Sequence, residues 1–252
     1  MKTVLEWNGG IYETDLEAPL DIGLALKPGL ENPNCFYAPP FEVAAVEAGD
    51  FVGDTRKGGV VNFFNVRLNP HGNGTHTECM GHISLERQSI NASLRVFHYF
   101  ARLISVYPMK MENGDRVIQK DQLVSILSPE VDTPAIIIRT LPNDHYKSTT
   151  NYSGANPPYF SECAIDYLVE KNCQHLLVDL PSVDREEDEG KLLAHKAFWK
   201  FNKEQRLSAT ITELIYVPET IKDGLYLLNI QIAAFELDAS PSKPILYELK
   251  EL

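Results

Sequence analysis

In YLLNIQIAAFEL, residues 226–237, Leu228, Ile230, Ile232 and Ala234 alternate with Leu227, Asn229, Gln231 and Ala233. A period of two with unequal faces predicts a β-strand. AIIIRT (135–140) and HLLVDL (175–180) are short continuous apolar runs and predict buried strands. Between them, SECAIDYLVEKN carries Ile165, Leu168 and Val169 at helical spacing, with Ser161 placed to cap the helix. Strand, helix, strand predicts an α/β unit. Two further strands are expected in VVNFFNVRL (60–68) and ARLISVYPM (101–109), on either side of a polar, histidine-rich stretch.

The remaining segments read as connections. Residues 142–158, PNDHYKSTTNYSGANPP, show no periodicity and many turn formers, and a long loop of this kind inside a compact domain is often functional. REEDEGK (185–191) reads as a solvated charge run. No repeat, low-complexity segment or dividing linker interrupts the chain, so residues 1–252 are expected to form one domain.

Composition narrows the function more than the fold. Charged residues at 23% and hydrophobic residues at 44% are ordinary for a globular chain long enough to bury a core. The formal charge of −12 argues against sequence-independent binding of nucleic acid. No apolar run approaches a membrane span, and the first residues lack a signal-peptide core. Cys35, Cys79, Cys163 and Cys173 lie far apart with no CxxC spacing. The expectation is a cytoplasmic protein with reduced thiols.

The chemistry concentrates in HGNGTHTECMGH, residues 71–82. If Thr75–Glu78 is extended, His76 and Glu78 project to the same side, where an imidazole and a carboxylate make half a site for a divalent cation. His71 or His82 can add a nitrogen if the glycines turn the backbone back. Spacing alone does not separate this reading from a polar loop rich in histidine. Further ligands must come from elsewhere. His195 and Glu213 draw attention, the latter as an acid inside the apolar stretch TITELIYV, where lone burial of a carboxylate is costly.

These residues together resemble the metal-dependent cyclase family, which contains bacterial kynurenine formamidases and isatin hydrolases. GTHTECMGH is similar to its pattern His-x-Gly-Thr-His-x-Asp-x-Pro-x-His. HLLVDLPSVD, with Asp179, Ser182 and Asp184, resembles its Gly-x-Asp-x-x-Ser-x-Asp segment. AIIIRT looks like its apolar strand ending in Arg-Thr, and LDASPSKPILYEL like its closing Asp-x-Ser-Pro stretch. The resemblance runs through most of the chain in the expected order. It implies an α/β swivelling domain of β/β/α type, with a β-barrel-like core and flanking helices.

Carried over by position, the resemblance implies that His76 and Glu78 bind a first metal, with Glu78 available to bridge to a second. His195 and Glu213 complete the second set, and His82 matches the catalytic histidine. The cofactor expected is Zn²⁺ or Mn²⁺, one or two per chain. Three departures stand out. Gly72 occupies the position of the family's first histidine, so His71 serves only if its turn holds an extra residue. Glu78 replaces an aspartate. Met80 replaces a proline, and the interval from His195 to Glu213 is longer than usual.

A bound divalent cation lowers the pKa of its water from 15.7 to about 7 and polarises a carbonyl. His82 suits proton transfer to a leaving nitrogen. The resemblance therefore implies a hydrolase of a small-molecule amide, foremost an N-aryl formamide such as N-formylkynurenine. The alternatives are another cyclic amide or lactone, dehydrating ring closure, or a relative that binds without catalysing. Trp7, Phe36, Tyr37, Phe63 and Phe64 are candidates for an aromatic pocket, with core packing as the competing use. Cys79 reads as a small buried residue. A homodimer or homotetramer is implied by the family.

Overall fold

Side-chain alternation along seven strands divides the protein into two apolar layers, one inside a closed barrel and one between the barrel and its helices. The computed structural model describes residues 1–127 and 133–252. The barrel strands are β1 (His76–Glu78), β2 (His98–Val106), β3 (Ala135–Thr140), β4 (His175–Val178), β5 (Thr210–Glu213), β6 (Gly224–Ile232) and β7 (Ala239–Glu248). They close in the order β6-β2-β3-β4-β5-β1-β7, with β7 pairing back to β6. β2, β3, β4 and β5 run parallel to their neighbours in that series, and the other pairings are antiparallel. The fold is α/β with a β-barrel core and few helices, as the resemblance implied.

Ala101, Leu103, Ala135, Ile137, Leu177 and Leu228 fill the interior. Ile136, Ile138, Leu176, Val178 and Ile211 face outward and are covered by α2 (Lys120–Ile126), α3 (Glu162–Glu170) and α4 (Leu193–Phe198), which follow α1 (Ile90–Ser93) in chain order after it. The runs AIIIRT and HLLV are continuous rather than alternating because both their faces are buried.

Several sequence expectations are adjusted. The strand expected over 60–68 is confined to Phe64–Arg67, which pairs only with Glu42–Ala45 in a two-stranded ribbon. The strand expected at 101–109 begins three residues earlier and ends at Val106. Ser161 sits at the N-cap of α3, but its hydroxyl turns to the Ile118 carbonyl at 3.3 Å and caps no helical amide. The 185–191 run is pinned as well as solvated. Arg185 pairs with buried Asp115 at 3.1 Å, and Glu186 accepts from the Gly154 and Asn156 amides at 2.6 and 3.1 Å.

The long loop at 142–158 includes a short 3-10 turn, His145–Ser148, anchored by Lys147. The Lys147 ammonium lies 2.9 Å from the buried Asp179 carboxylate and also donates to the Thr140 carbonyl. The loop's far half holds the 34–38 segment in place through Asn34–Thr150, Tyr152–Asn34 and Tyr37–Ser153 hydrogen bonds. No helix among the described residues is long and apolar enough to cross a membrane. All four cysteines are free.

Candidate metal centre

The register of β1 against β5 sets the centre. Glu213 pairs directly with His76, and Ile211 with Glu78. His76, Glu78 and Glu213 therefore leave the same outer face, while Thr77 and Thr212 point inward and share a 2.8 Å hydrogen bond. All three outward groups are buried, and His195 on α4 closes over them. The eleven residues between α4 and β5, 199–209, form an excursion tied back by the Trp199 indole, which donates to the Ala209 carbonyl at 2.9 Å. The long interval thus leaves His195 Nε2 within 3.9 Å of Glu213 Oε1.

His71 reaches the same cluster. The Asn69 carbonyl accepts from both the Gly72 and Asn73 amides, at 3.2 and 3.0 Å, a turn that accommodates one residue more. A Cβ on Gly72 would meet the Ala38 Cβ at 2.3 Å, so that position admits no histidine. His71 stands in its place, with Nδ1 3.1 Å from Glu78 Oε2.

Three of the four histidines share one arrangement. His71 Nε2 faces Asp238 Oδ2 at 2.7 Å, His76 Nδ1 faces the Gly74 carbonyl at 2.9 Å, and His195 Nδ1 faces Asp184 Oδ2 at 2.6 Å. Ionised carboxylates and carbonyls only accept, so each of these nitrogens carries its proton. The opposite nitrogen of each ring then turns toward a carboxylate. His76 Nε2 lies 3.3 Å from Glu213 Oε2, and His195 Nε2 lies 3.1 Å from Glu78 Oε1. His76 Nε2 and Glu78 Oε2 are fully buried and find no hydrogen-bond partner.

Such a cluster calls for positive charge. Burial opposes charging His71, but Asp238 and Glu78 outweigh it and push its pKa up to about 10. His195 is likewise buried, yet Asp184 and Glu78 hold its pKa well above the ordinary value. Burial raises Glu78, but His82, His195 and His71 together bring it well below the carboxylate range. A divalent cation can supply the same charge. Two atoms each about 2.1 Å from one cation at a tetrahedral angle are about 3.4 Å apart, close to the separations seen between these rings and carboxylates. The acceptor set fits a metal. His71, His76 and Glu78 form one candidate group, Glu78, His82 and His195 a second, and His71, His82 and Asp238 a third.

His82 differs from the other three. Its Nδ1 is 3.4 Å from Asp238 and its Nε2 3.9 Å from Glu78, and its side chain is about a third exposed. It borders a cavity of about 590 Å³ that also touches His71, His195, Glu213, Phe36 and Tyr37.

The structure separates the aromatic candidates. Phe36 and Tyr37 line this cavity. Trp7 does not: it stacks on Phe100 at 4.8 Å in the Lys2–Trp7 strand, on a different part of the surface. Phe63 and Phe64 are also outside it and solvent-exposed, Phe64 on the two-stranded ribbon and Phe63 just before it, edge-on to Phe51. Cys79 points inward from β1, fully buried, and burial raises its pKa. Two residues had no role assigned from sequence. Asp184 and Asp238 each anchor a histidine of the cluster, and Asp184 also accepts from the Ala194 and His195 amides at 2.7 and 3.2 Å. Both lie in the segments that carried the resemblance, and that was their only signal.

The Cyclase family model, described as "Putative cyclase", matches residues 14–185, more than half of the chain. The chain belongs to this family. No curated protein matches it in sequence. Among solved structures it is similar to a potential metal-dependent hydrolase with cyclase activity, at 15% identity and TM-score 0.65, covering 92% of this chain and 98% of that one. It is similar to isatin hydrolase A from Ralstonia solanacearum at 13% identity and TM-score 0.66, covering 91% and 92%. A predicted metal-dependent hydrolase from Bacillus stearothermophilus gives 14%, 0.62, 91% and 98%. The match to the family model ends before His195 and Glu213, so their place in the cluster rests on the geometry above.

Proposed function

We propose that the protein is a metal-dependent hydrolase that cleaves an amide C–N bond, with an N-aryl formamide such as N-formylkynurenine as its substrate class. The observation that carries this reading is the buried convergence of His71, His76, Glu78, His195 and Glu213, within which His76 Nε2 and Glu78 Oε2 find no hydrogen-bond partner. These five residues would hold one or two Zn²⁺ or Mn²⁺ ions. Glu78 would bridge, since its two oxygens face different histidines. A cation there lowers the pKa of a coordinated water to about 7 and polarises the scissile carbonyl.

The protein's own groups do the rest. Asp238, Gly74 and Asp184 fix the tautomers of the three ligand histidines. His82, loosely held and facing the cavity, gives a proton to the leaving nitrogen. Phe36 and Tyr37 present an aromatic wall for the aryl group. Isatin-like cyclic amides are the second reading, favoured by the likeness to isatin hydrolase. The test is metal content of protein purified without chelator or added metal, followed by turnover of N-formylkynurenine and of isatin. Bound metal with faster formamide cleavage supports the proposal. Faster isatin opening moves the substrate class to cyclic amides. An inability to take up Zn²⁺ or Mn²⁺ overturns the hydrolase.

A further inference from the structure

A second cavity, of about 810 Å³, opens at the end of the barrel where β4 and β5 start and shares no residue with the one beside the histidine cluster. It lies between the Gln174–His175 corner, the Leu207–Ser208 turn and the segment around α1. Its walls combine two chemistries. Ala92, Val96, Leu207 and Tyr99 contribute apolar lining, and Arg87 and Arg95 line the same cavity.

Neither arginine is neutralised by a neighbour. Acidic residues outnumber basic ones, 35 to 23, yet among the described residues neither guanidinium has a carboxylate or hydrogen-bond partner. A second observation concerns His175. It is 5% exposed, its Nδ1 meets Thr210 Oγ1 at 2.8 Å, and its ring packs 3.9 Å from that of Tyr99. Its Nε2 has no partner among the described residues, and the ring borders the cavity. The Gln174 amide and the Ser208 hydroxyl, also at the cavity wall, are likewise free of side-chain partners. Donors gathered beside an apolar, partly aromatic lining suit an anion with an apolar body.

The geometry points to this barrel mouth as a binding site for a small organic carboxylate, with its head group between Arg87 and Arg95 and its apolar body against Tyr99, Val96 and Leu207. The site is independent of the reaction at the histidine cluster. It does abut the backbone that carries His82: the Gln88 carbonyl accepts from Cys79 Sγ at 3.5 Å and would lie 2.2 Å from a Cβ on Gly81.

The experiment is calorimetric titration of the metal-loaded protein with benzoate, benzamide and inorganic phosphate, repeated on the Arg87→Gln/Arg95→Gln double variant. Both arginines are exposed, so the variant should keep its melting temperature and metal content. Benzoate should bind more tightly than either comparison compound, and the double variant should bind it about tenfold more weakly or worse. Equal binding of phosphate would show that the apolar lining plays no part, and equal binding of benzamide that the arginines play none. Either result overturns the assignment, as does benzoate binding that is absent or is undiminished in the double variant.

Discussion

His76 Nε2 and Glu213 Oε2 face each other at 3.3 Å across the β1–β5 register, and no proton is aligned between them. The His76 proton is on Nδ1, committed to the Gly74 carbonyl. Two buried acceptors held together in this way are stable only with a cation near them. Glu213→Gln should therefore cost more metal affinity than the 10–100-fold typical of an outer-shell partner. Its remaining oxygen can still accept from the Val183 amide, so the fold should survive. Competition with a chelator measures the affinity. Unchanged affinity would remove Glu213 from the centre.

His82 is the one histidine of the cluster without an aligned hydrogen bond, which suits a group that moves a proton rather than holding an ion. His82→Ala should lower kcat by 10²–10⁴-fold, in the usual range for a general acid, with bound metal unchanged. Steady-state kinetics and elemental analysis on the same preparation check both halves. Loss of metal along with activity would make His82 a ligand instead.

Asp184 fixes His195 and also receives the first amides of α4. In Asp184→Asn the amide group can turn its NH₂ toward His195 Nδ1 and favour the wrong tautomer. We expect metal affinity or kcat/KM to fall by about 10–100-fold. Asp184→Glu should recover part of the loss if orientation is the role. Equal losses in both variants would point to helix packing.

How much was visible beforehand depends on the range of each interaction. AIIIRT and HLLV were legible because strands buried on both faces leave uninterrupted apolar runs. His76 and Glu78 share a face through local periodicity alone. The pairing of His76 with Glu213 depends on a register between segments more than a hundred residues apart, and no local pattern encodes it. His71 was ambiguous for a similar reason. What excludes a histidine at position 72 is Ala38, distant in sequence. Gly72→Ala should accordingly destabilise the protein by about 1–3 kcal/mol through overpacking, as read from the shift in denaturation midpoint. Of the aromatic candidates only Phe36 and Tyr37 line the cavity beside the cluster, because composition cannot tell a cavity wall from an uncovered ribbon.

His175 gives the fold a pH dependence of its own. Burial, and to a lesser degree the nearby Arg206 charge, lower its pKa from 6.5 to about 3. Between those values the unfolded chain takes up a proton that the folded protein refuses. Its contribution to stability is complete above pH 6.5 and is lost as the pH falls toward 3, by up to about 1.4 kcal/mol per pH unit. Glu78, Asp184 and Asp238, held low, lose stability only near and below the ordinary carboxylate range, and His71 and His195, held high, give the opposite slope only as the pH approaches 6.5, so His175 dominates at about pH 5–6. Urea midpoints across that window should rise with pH in the natural protein and flatten in His175→Gln, which keeps a polar partner for Thr210. Parallel curves for the two proteins would mean that another group carries the acid sensitivity.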